Sequence, residues 1–510
     1  MQYRIEQDSL GEVKVPANRL YAAQTARSLH NFQIGTEIMP LGVMKALVLL
    51  KLSAAKVNEE RHFIPAEIGK AIQIAGKLIL HNFAEFKAEF PLHVWQTGSG
   101  TQSNMNANEV LANLATVILT AQNDAKAKGE NLNTEQLEAA VLSIVGTDQV
   151  TETLNRASLR VHPNDHVNCS QSSNDTFPTA MHILAYIKVL ELEQGLDRLI
   201  KAFDPLILEN METFKSARTH LQDAVPMSFA QELSGWQHLV IEGRTILAQN
   251  AEQLLNVALG GTACGTGLNT PDNFSEAVLD EVNQTLSVAH ADLTKIASFA
   301  FRKNVNLFAA LSGKSAVAAC HGALAVLAGN LFKMANDIRY LASGPRLGYG
   351  EITIPANEPG SSIMPGKVNP TQAEALTMVA IQVMANNQAI TFANSQGQFQ
   401  LNVFMPLIVH NFEKSASLLL EAVDSFKEHL LAGIKANKAK MLANFQNSLM
   451  NVTALSPKLG YKQAAKLANE ANDEGLTLWE VVDKHKLLSR AEFDALLDPK
   501  KLSYPHGEKI

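Results

Sequence analysis

Four polar segments carry the side chains best suited to chemistry, and each interrupts apolar, helix-periodic sequence. The first is Thr97-Gly98-Ser99-Gly100-Thr101-Gln102-Ser103-Asn104, small hydroxyls and amides ahead of the helix-like NANEVLANLA. Backbone N–H groups at a helix start, joined by hydroxyls, favour a carboxylate or a phosphate; a surface turn accounts for the same residues. The second joins His162-Pro163-Asn164-Asp165 to Ser172-Ser173-Asn174, again ahead of a long helical pattern, where capping alone explains the latter half. The third is Arg218-Thr219-His220-Leu221-Gln222-Asp223, followed by Pro226. Its histidine can exchange a proton near neutral pH if polar neighbours fix the tautomer, with a structural histidine as the ordinary alternative. The fourth is Gly360-Ser361-Ser362-Ile363-Met364-Pro365-Gly366-Lys367-Val368-Asn369-Pro370, leading into a helix that carries Glu374. It is not a P-loop, because five residues separate Gly360 from Gly366 and Val368 stands where a hydroxyl should follow the lysine. Its serines, lysine and asparagine suit a carboxylate or a developing oxyanion.

The elements that must position these loops are predominantly helical. Ala185, Val189, Leu192, Leu196, Leu199 and Phe203 recur at alternating steps of four and three, the stripe of a bundle helix. Ser173, Asn174 and Asp175 offer capping oxygens at its start, and Pro178 suits a first-turn position. A second stripe, Phe229, Leu233, Trp236, Val240, Leu247, Ala251 and Leu254, predicts a helix ending at Gly260 and Gly261. Ser315 to Phe332 has no charged residue, but His321, Gly322 and Asn330 interrupt it, so a helix buried on all sides is expected rather than a membrane span. Such a helix needs neighbours on every face, which points to a multi-helix core shared between subunits. The best strand signal is Ile352 to Ile354. Gln122 to Arg156 reads as an inserted helical excursion with a helix start at Asn133 and Gln136 three positions on.

Composition narrows the partners. The chain has 510 residues, 46% hydrophobic and 18% charged, enough for about two to four domains around large cores. A formal charge of -7 and the lack of a Lys/Arg run argue against nucleic acid. MQYRIEQDSLGEVKVP lacks the basic and apolar regions of a secretory signal, so a cytoplasmic protein is expected. Cys169, Cys264 and Cys320 are scattered, with no spacing for zinc, a redox dithiol or a disulfide framework; a metal is not implied.

Taken together, the four segments resemble the fumarase/aspartase superfamily. GSSIMPGKVNP is similar to its signature, the other three fall in its order, and the likeness runs from DSLGEVKVPANRLYAAQT to GLTLWEVV. His220 in RTHLQDA and the continuation PGKVNPTQAEALTMV are similar to class II fumarases; aspartases typically carry glutamine at the histidine position and MPAKVNP in the loop. The resemblance implies a mostly α, three-domain fold: an N-terminal domain over 1–168, a long central helix bundle over 169–437 that tetramerises, and a small C-terminal domain over 438–510. It implies reversible hydration of fumarate to L-malate without a cofactor, in active sites shared among three subunits. Ser361 would remove the C3 proton of malate through an aci-carboxylate intermediate, and His220 with Glu374 would handle the water at C2. Ser99, Gly100, Thr101, Ser172, Ser173, Asn174, Thr219, Ser362, Lys367, Val368 and Asn369 would bind substrate. His162, Pro163, Asn164 and Asp165 match a peripheral dicarboxylate site.

Departures from the family pattern keep alternatives open. Asn306-Leu307-Phe308-Ala309-Ala310-Leu311 stands where NKFEAL is common, with an insertion before it, and Met405 replaces an arginine. A related ammonia lyase such as an aspartase, or a catalytically weak binding paralogue, are the competing readings.

Overall fold

The computed structural model describes residues 2–360 and 363–507. Ser361 and Ser362, the two serines expected to act in the fourth segment, lie outside the described residues. The rest is dominated by long helices: Leu41–Glu60, Thr101–Ala127, Ser173–Glu209, Phe229–Ala251, Ser315–Leu341, Thr371–Asn394 and Met405–His429. Strands among the described residues form two-stranded pairs only. The mostly α expectation holds.

The chain forms two compact units. The first comprises 1–194, 246–325 and 383–417; the second comprises 195–245, 326–382 and 418–510. In the first, Leu41–Glu60 packs on Ala66–His81, which packs on Thr101–Ala127. The buried stretch of the Leu41–Glu60 helix is nearly continuous and contains one lysine, Lys51. In the second, the antiparallel hairpin Phe214–Thr219 with Gln222–Ser228 is backed by Lys438–Asn447. Its C-terminal helices close around Leu455, Leu467, Ala471, Val481, Val482 and Phe493.

Both predicted stripes are buried along their full length, each large apolar side chain contributing about 1.5–3 kcal/mol relative to exposure. Three details differ from expectation. The second striped helix stops at Ala251, giving way to a tighter turn over Glu252–Leu255 and a short strand, Asn256–Val257, paired with Arg302–Lys303. Gly260 does take a left-handed φ of 86°, but in the loop beyond. Pro178 is the sixth helical residue rather than a first-turn residue, because the helix already starts at Ser173. The Ser315–Leu341 helix is long and apolar enough to cross a membrane, yet within the chain it is not buried on all sides: Val317, Leu324, Leu327 and Leu331 are buried while Val326 is exposed. Asn330 donates to the carbonyl of Leu239 on a neighbouring helix.

The excursion after Ala127 is helical, as predicted. Asn133 caps Thr134–Leu142, and Gln136 completes the reciprocal capping box.

Candidate active site

In the first unit, the Gly98-Ser99-Gly100 turn feeds directly into the Thr101–Ala127 helix. The polar loop is therefore shorter than its sequence implied, and Thr101 to Asn104 form the first helical turn. Both glycines are sterically required. A Cβ on Gly98 would stand 1.4 Å from the Val403 carbonyl oxygen, and one on Gly100, where φ is 74°, would stand 2.4 Å from the Phe177 ring. The Gln96 side chain accepts from the Ser103 amide at 3.1 Å and hydroxyl at 3.0 Å, satisfying a free helix-start donor. Ser99 Oγ and Thr101 Oγ1 are 2.9 Å apart.

This turn meets the Ser172-Ser173-Asn174 segment. Asn104 Nδ2 donates to Ser173 Oγ at 2.9 Å, and the Asn174 amide donates to Ser172 Oγ at 3.2 Å. Each serine oxygen thus has an acceptor position filled, which leaves its O–H proton free to donate to an anion. The 37-residue Ser173–Glu209 helix begins here, adding its positive end. Asp175 is fully buried beneath, accepting from the amides of Ser172 at 2.9 Å and of Gly260 and Thr262 at 3.0 Å each. Burial pushes its carboxyl up to about 6, against the pull of those amides and of Lys51. Lys51, equally buried, is pushed down to about 7 by burial while Asp175 opposes the shift. Asn174 Nδ2 is spent on the Ala263 carbonyl at 2.8 Å.

His162, Pro163, Asn164 and Asp165 lie on one short turn, Pro163–Val167, upstream of that helix. His162 Nδ1 accepts from the Asp165 amide at 3.1 Å, and the His162 amide donates to His166 Nδ1 at 2.8 Å. The His162 ring and the Asp165 carboxylate face solvent.

In the second unit, Thr219 and His220 sit at the tip of the Phe214–Thr219/Gln222–Ser228 hairpin. Thr219 pairs with Gln222, so His220 and Leu221 form the two-residue turn, at φ 56° and 60°. That is the mirror-type turn that suits strand twist and normally takes Asn-Gly; a leucine there is strained. The hairpin base is anchored by charge. Glu351, fully buried, pairs with Lys215 at 2.8 Å and Arg218 at 2.7 Å and accepts from Asn444 Nδ2 at 2.9 Å. Lys215 also reaches Glu232 at 2.6 Å, and the Arg218 guanidinium lies 4.5 Å over the Tyr349 ring. Burial raises the Glu351 carboxyl, but Arg218 and Lys215 outweigh it and bring it to about 2.

Lys367 and Val368 are exposed, Asn369 is half-buried, and Gly366 takes a φ of 81°. Glu374 lies in the first turn of Thr371–Asn394. It shares a cavity of about 420 Å³ with Val368, Asn336, Arg339, Tyr340 and Ser343. Arg339 donates to Asn336 Oδ1 at 2.9 Å. Sequence reasoning missed this arginine, whose signal was a charge on the face of a long apolar helix three residues from Asn336.

A third arrangement imitates a nucleophilic triad. His321 Nε2 is 2.9 Å from Ser415 Oγ and its Nδ1 is 3.0 Å from Asn387 Oδ1. Both His321 and Ser415 are fully buried, and burial holds the imidazole down to about 4. It is a packed polar contact without access for a substrate. No group of three or more His, Cys, Asp or Glu able to hold a metal occurs among the described residues.

Residues 11–385 match the Lyase family and residues 452–503 match Fumarase C C-terminus. The chain is 45% identical over 506 residues to a fumarate hydratase class II of Bacillus subtilis, covering 99% of this chain and 100% of that one. A Helicobacter pylori fumarate hydratase class II is 46% identical over 506 residues, with the same coverage. The chain belongs to the class II fumarase family. A crystal structure of class II fumarase from Schistosoma mansoni superposes with a TM-score of 0.88 at 37% identity, covering 99% of this chain and 100% of that one.

Within this class II fumarase frame, the two departures occupy well-defined places. Met405 is fully buried at the start of Met405–His429, and its amide donates to the Gly98 carbonyl at 2.9 Å. Asn306 caps Leu307–Ser312 by accepting from the Ala309 amide at 3.0 Å. At the other end of that short helix, Lys314 Nζ, buried, donates to the carbonyls of Ala310, Leu311 and Gly313 at 2.7–2.9 Å. Met405 packs and Asn306 caps.

Proposed function

We propose that the chain interconverts fumarate and L-malate, with Ser361 as the base at C3. The observation that carries the anion-binding half is the Ser172-Ser173-Asn174 turn at the start of the Ser173–Glu209 helix, with two hydroxyl protons left to donate. The relatives' printed function, at 45–46% identity over 99% of this chain, supports hydration as the reaction. In the dehydration direction, Ser361 takes the C3 proton, leaving an aci-carboxylate dianion. Lys367, Asn369 and backbone amides stabilise that charge. The C2 hydroxyl then leaves with a proton delivered by a water organised by His220 and Glu374, and the C2–C3 double bond forms. Ser99, Gly100, Thr101, Thr219, Ser362 and Val368 complete the pocket.

The active form is a homotetramer with each site built from three subunits. Exposed apolar residues on the long helices, Val326, Met378, Ile381 and Phe392, support this. The 1–168, 169–437 and 438–510 division belongs to the same proposal, and His162 to Asp165 form a peripheral dicarboxylate site.

The test is growth of fumarate ultraviolet absorbance from L-malate with purified protein, with L-aspartate in parallel. Growth with malate is expected; growth only with aspartate would move the chain to the ammonia-lyase branch. Ser361→Ala lowers kcat with little change in KM, and near-normal turnover would remove Ser361 as the base. His162→Asn leaves kcat largely intact.

A further inference from the structure

Beneath Ser173 runs a chain of amides that ends on a buried lysine outside the proposed catalytic set. Lys51 Nζ donates to Asn168 Oδ1 at 2.8 Å. The same oxygen accepts from Asn104 Nδ2 and Asn108 Nδ2, both at 3.2 Å. Asn104 Nδ2 donates onward to Ser173 Oγ at 2.9 Å, while Thr176 Oγ1 lies 3.1 Å from Asn104 Oδ1 and 2.8 Å from the Ser172 carbonyl, sharing its one proton between them. Lys51, Asn104 and Asn108 are fully buried, so an unmatched donor or acceptor here would be costly.

The chain has a direction. An amide side chain can be turned end for end, but Lys51 in its charged form only donates. Facing Lys51, Asn168 must present its oxygen; its own N–H₂ then donates to the Gln171 carbonyl at 3.2 Å. With that oxygen fixed, Asn104 must present N–H₂. Ser173 Oγ therefore receives a hydrogen bond from below and directs its own proton away from the network.

We infer that Lys51 is a positioning residue for substrate binding, acting through Asn168 and Asn104 to hold Ser173 as a hydrogen-bond donor to a substrate carboxylate. This rests on the reading of Ser173 as a substrate-binding residue.

The experiment is a double-mutant cycle on the full-length enzyme, reading KM and kcat for L-malate with thermal unfolding alongside. Lys51→Met keeps the volume and removes the donor; it is expected to raise KM about tenfold with kcat within about threefold, the size of one lost charge-assisted contact. Ser173→Ala should raise KM by a similar factor. In the Ser173→Ala background, Lys51→Met should add nothing, because the residue it acts through is gone. Asn104→Leu breaks the chain at its other link and should repeat the pattern if Lys51→Met does not fold. An unchanged KM in Ser173→Ala would sink the reading of Ser173 itself. A raised KM in Ser173→Ala beside an unchanged one in Lys51→Met, or fully additive effects, would overturn the inference while leaving that reading in place.

Discussion

The Ser172–Asn174 turn and the His220 hairpin tip both carry residues proposed to act on substrate, yet they are held in opposite ways. At the turn, the fixing reaches the functional atoms: Ser173 Oγ and Ser172 Oγ are each hydrogen-bonded within the first unit. At the hairpin, the fixing stops one residue short. Arg218 and Lys215 are tied to Glu351, whereas Thr219 and His220 project into solvent on a strained turn. A hydroxyl whose oxygen already accepts a hydrogen bond is oriented to donate its proton to a ligand; an exposed ring needs something further to orient it. That difference fits binding groups at the turn and a proton-handling group completed by the assembly at the tip.

The comparison can be broken most directly at the histidine. His220→Asn removes the imidazole while keeping a residue that tolerates positive φ. It should lower kcat by roughly 10²–10⁴ with KM little changed, opposite to the KM-dominated effect of Ser173→Ala; a KM-only effect would erase the contrast. Next in size, Glu351→Gln leaves Lys215 and Arg218 without their buried partner and should cost about 3–5 kcal/mol in denaturant unfolding.

The same carboxylate makes the hairpin acid-sensitive. Glu351 is held at about 2, below its ordinary 4.5, so its contribution is fully present above about 4.5 and is lost as pH falls towards 2. Unfolding at pH 7, 4 and 2.5 should show this loss in the parent and a flatter profile in Glu351→Gln. The smallest effect is at Leu221, 60% exposed at φ 60°. Leu221→Asn relieves left-handed strain and should stabilise by about 0.5–1 kcal/mol.

The sequence made the helices legible because their stripes are long and strictly periodic: Ala185, Val189, Leu192, Leu196, Leu199 and Phe203 are all buried. It also placed the Asn133 cap, since a capping box is a local pattern. It misjudged the end of the helix at Ala251, where pairing of Asn256–Val257 with Arg302–Lys303 intervenes. Long-range partners explain the other gaps. Lys51 in LVLLKLSAA was visible as one charge in an apolar run, and Asn104 and Asn108 as two amides on one helix face. That all three converge on Asn168 depends on a contact 117 residues away from Lys51. Arg218 and Lys215 were likewise visible, but not Glu351, 133 residues from Arg218.

The turn at His220 and Leu221 also bears on how variants of this enzyme should be selected. A library scored on heat resistance alone would enrich Asn-Gly at those two positions, the pair best matched to the turn. Those winners would be sturdier and, on the role proposed for His220, slow. Screens for industrial variants therefore have to score survival and turnover on the same clone.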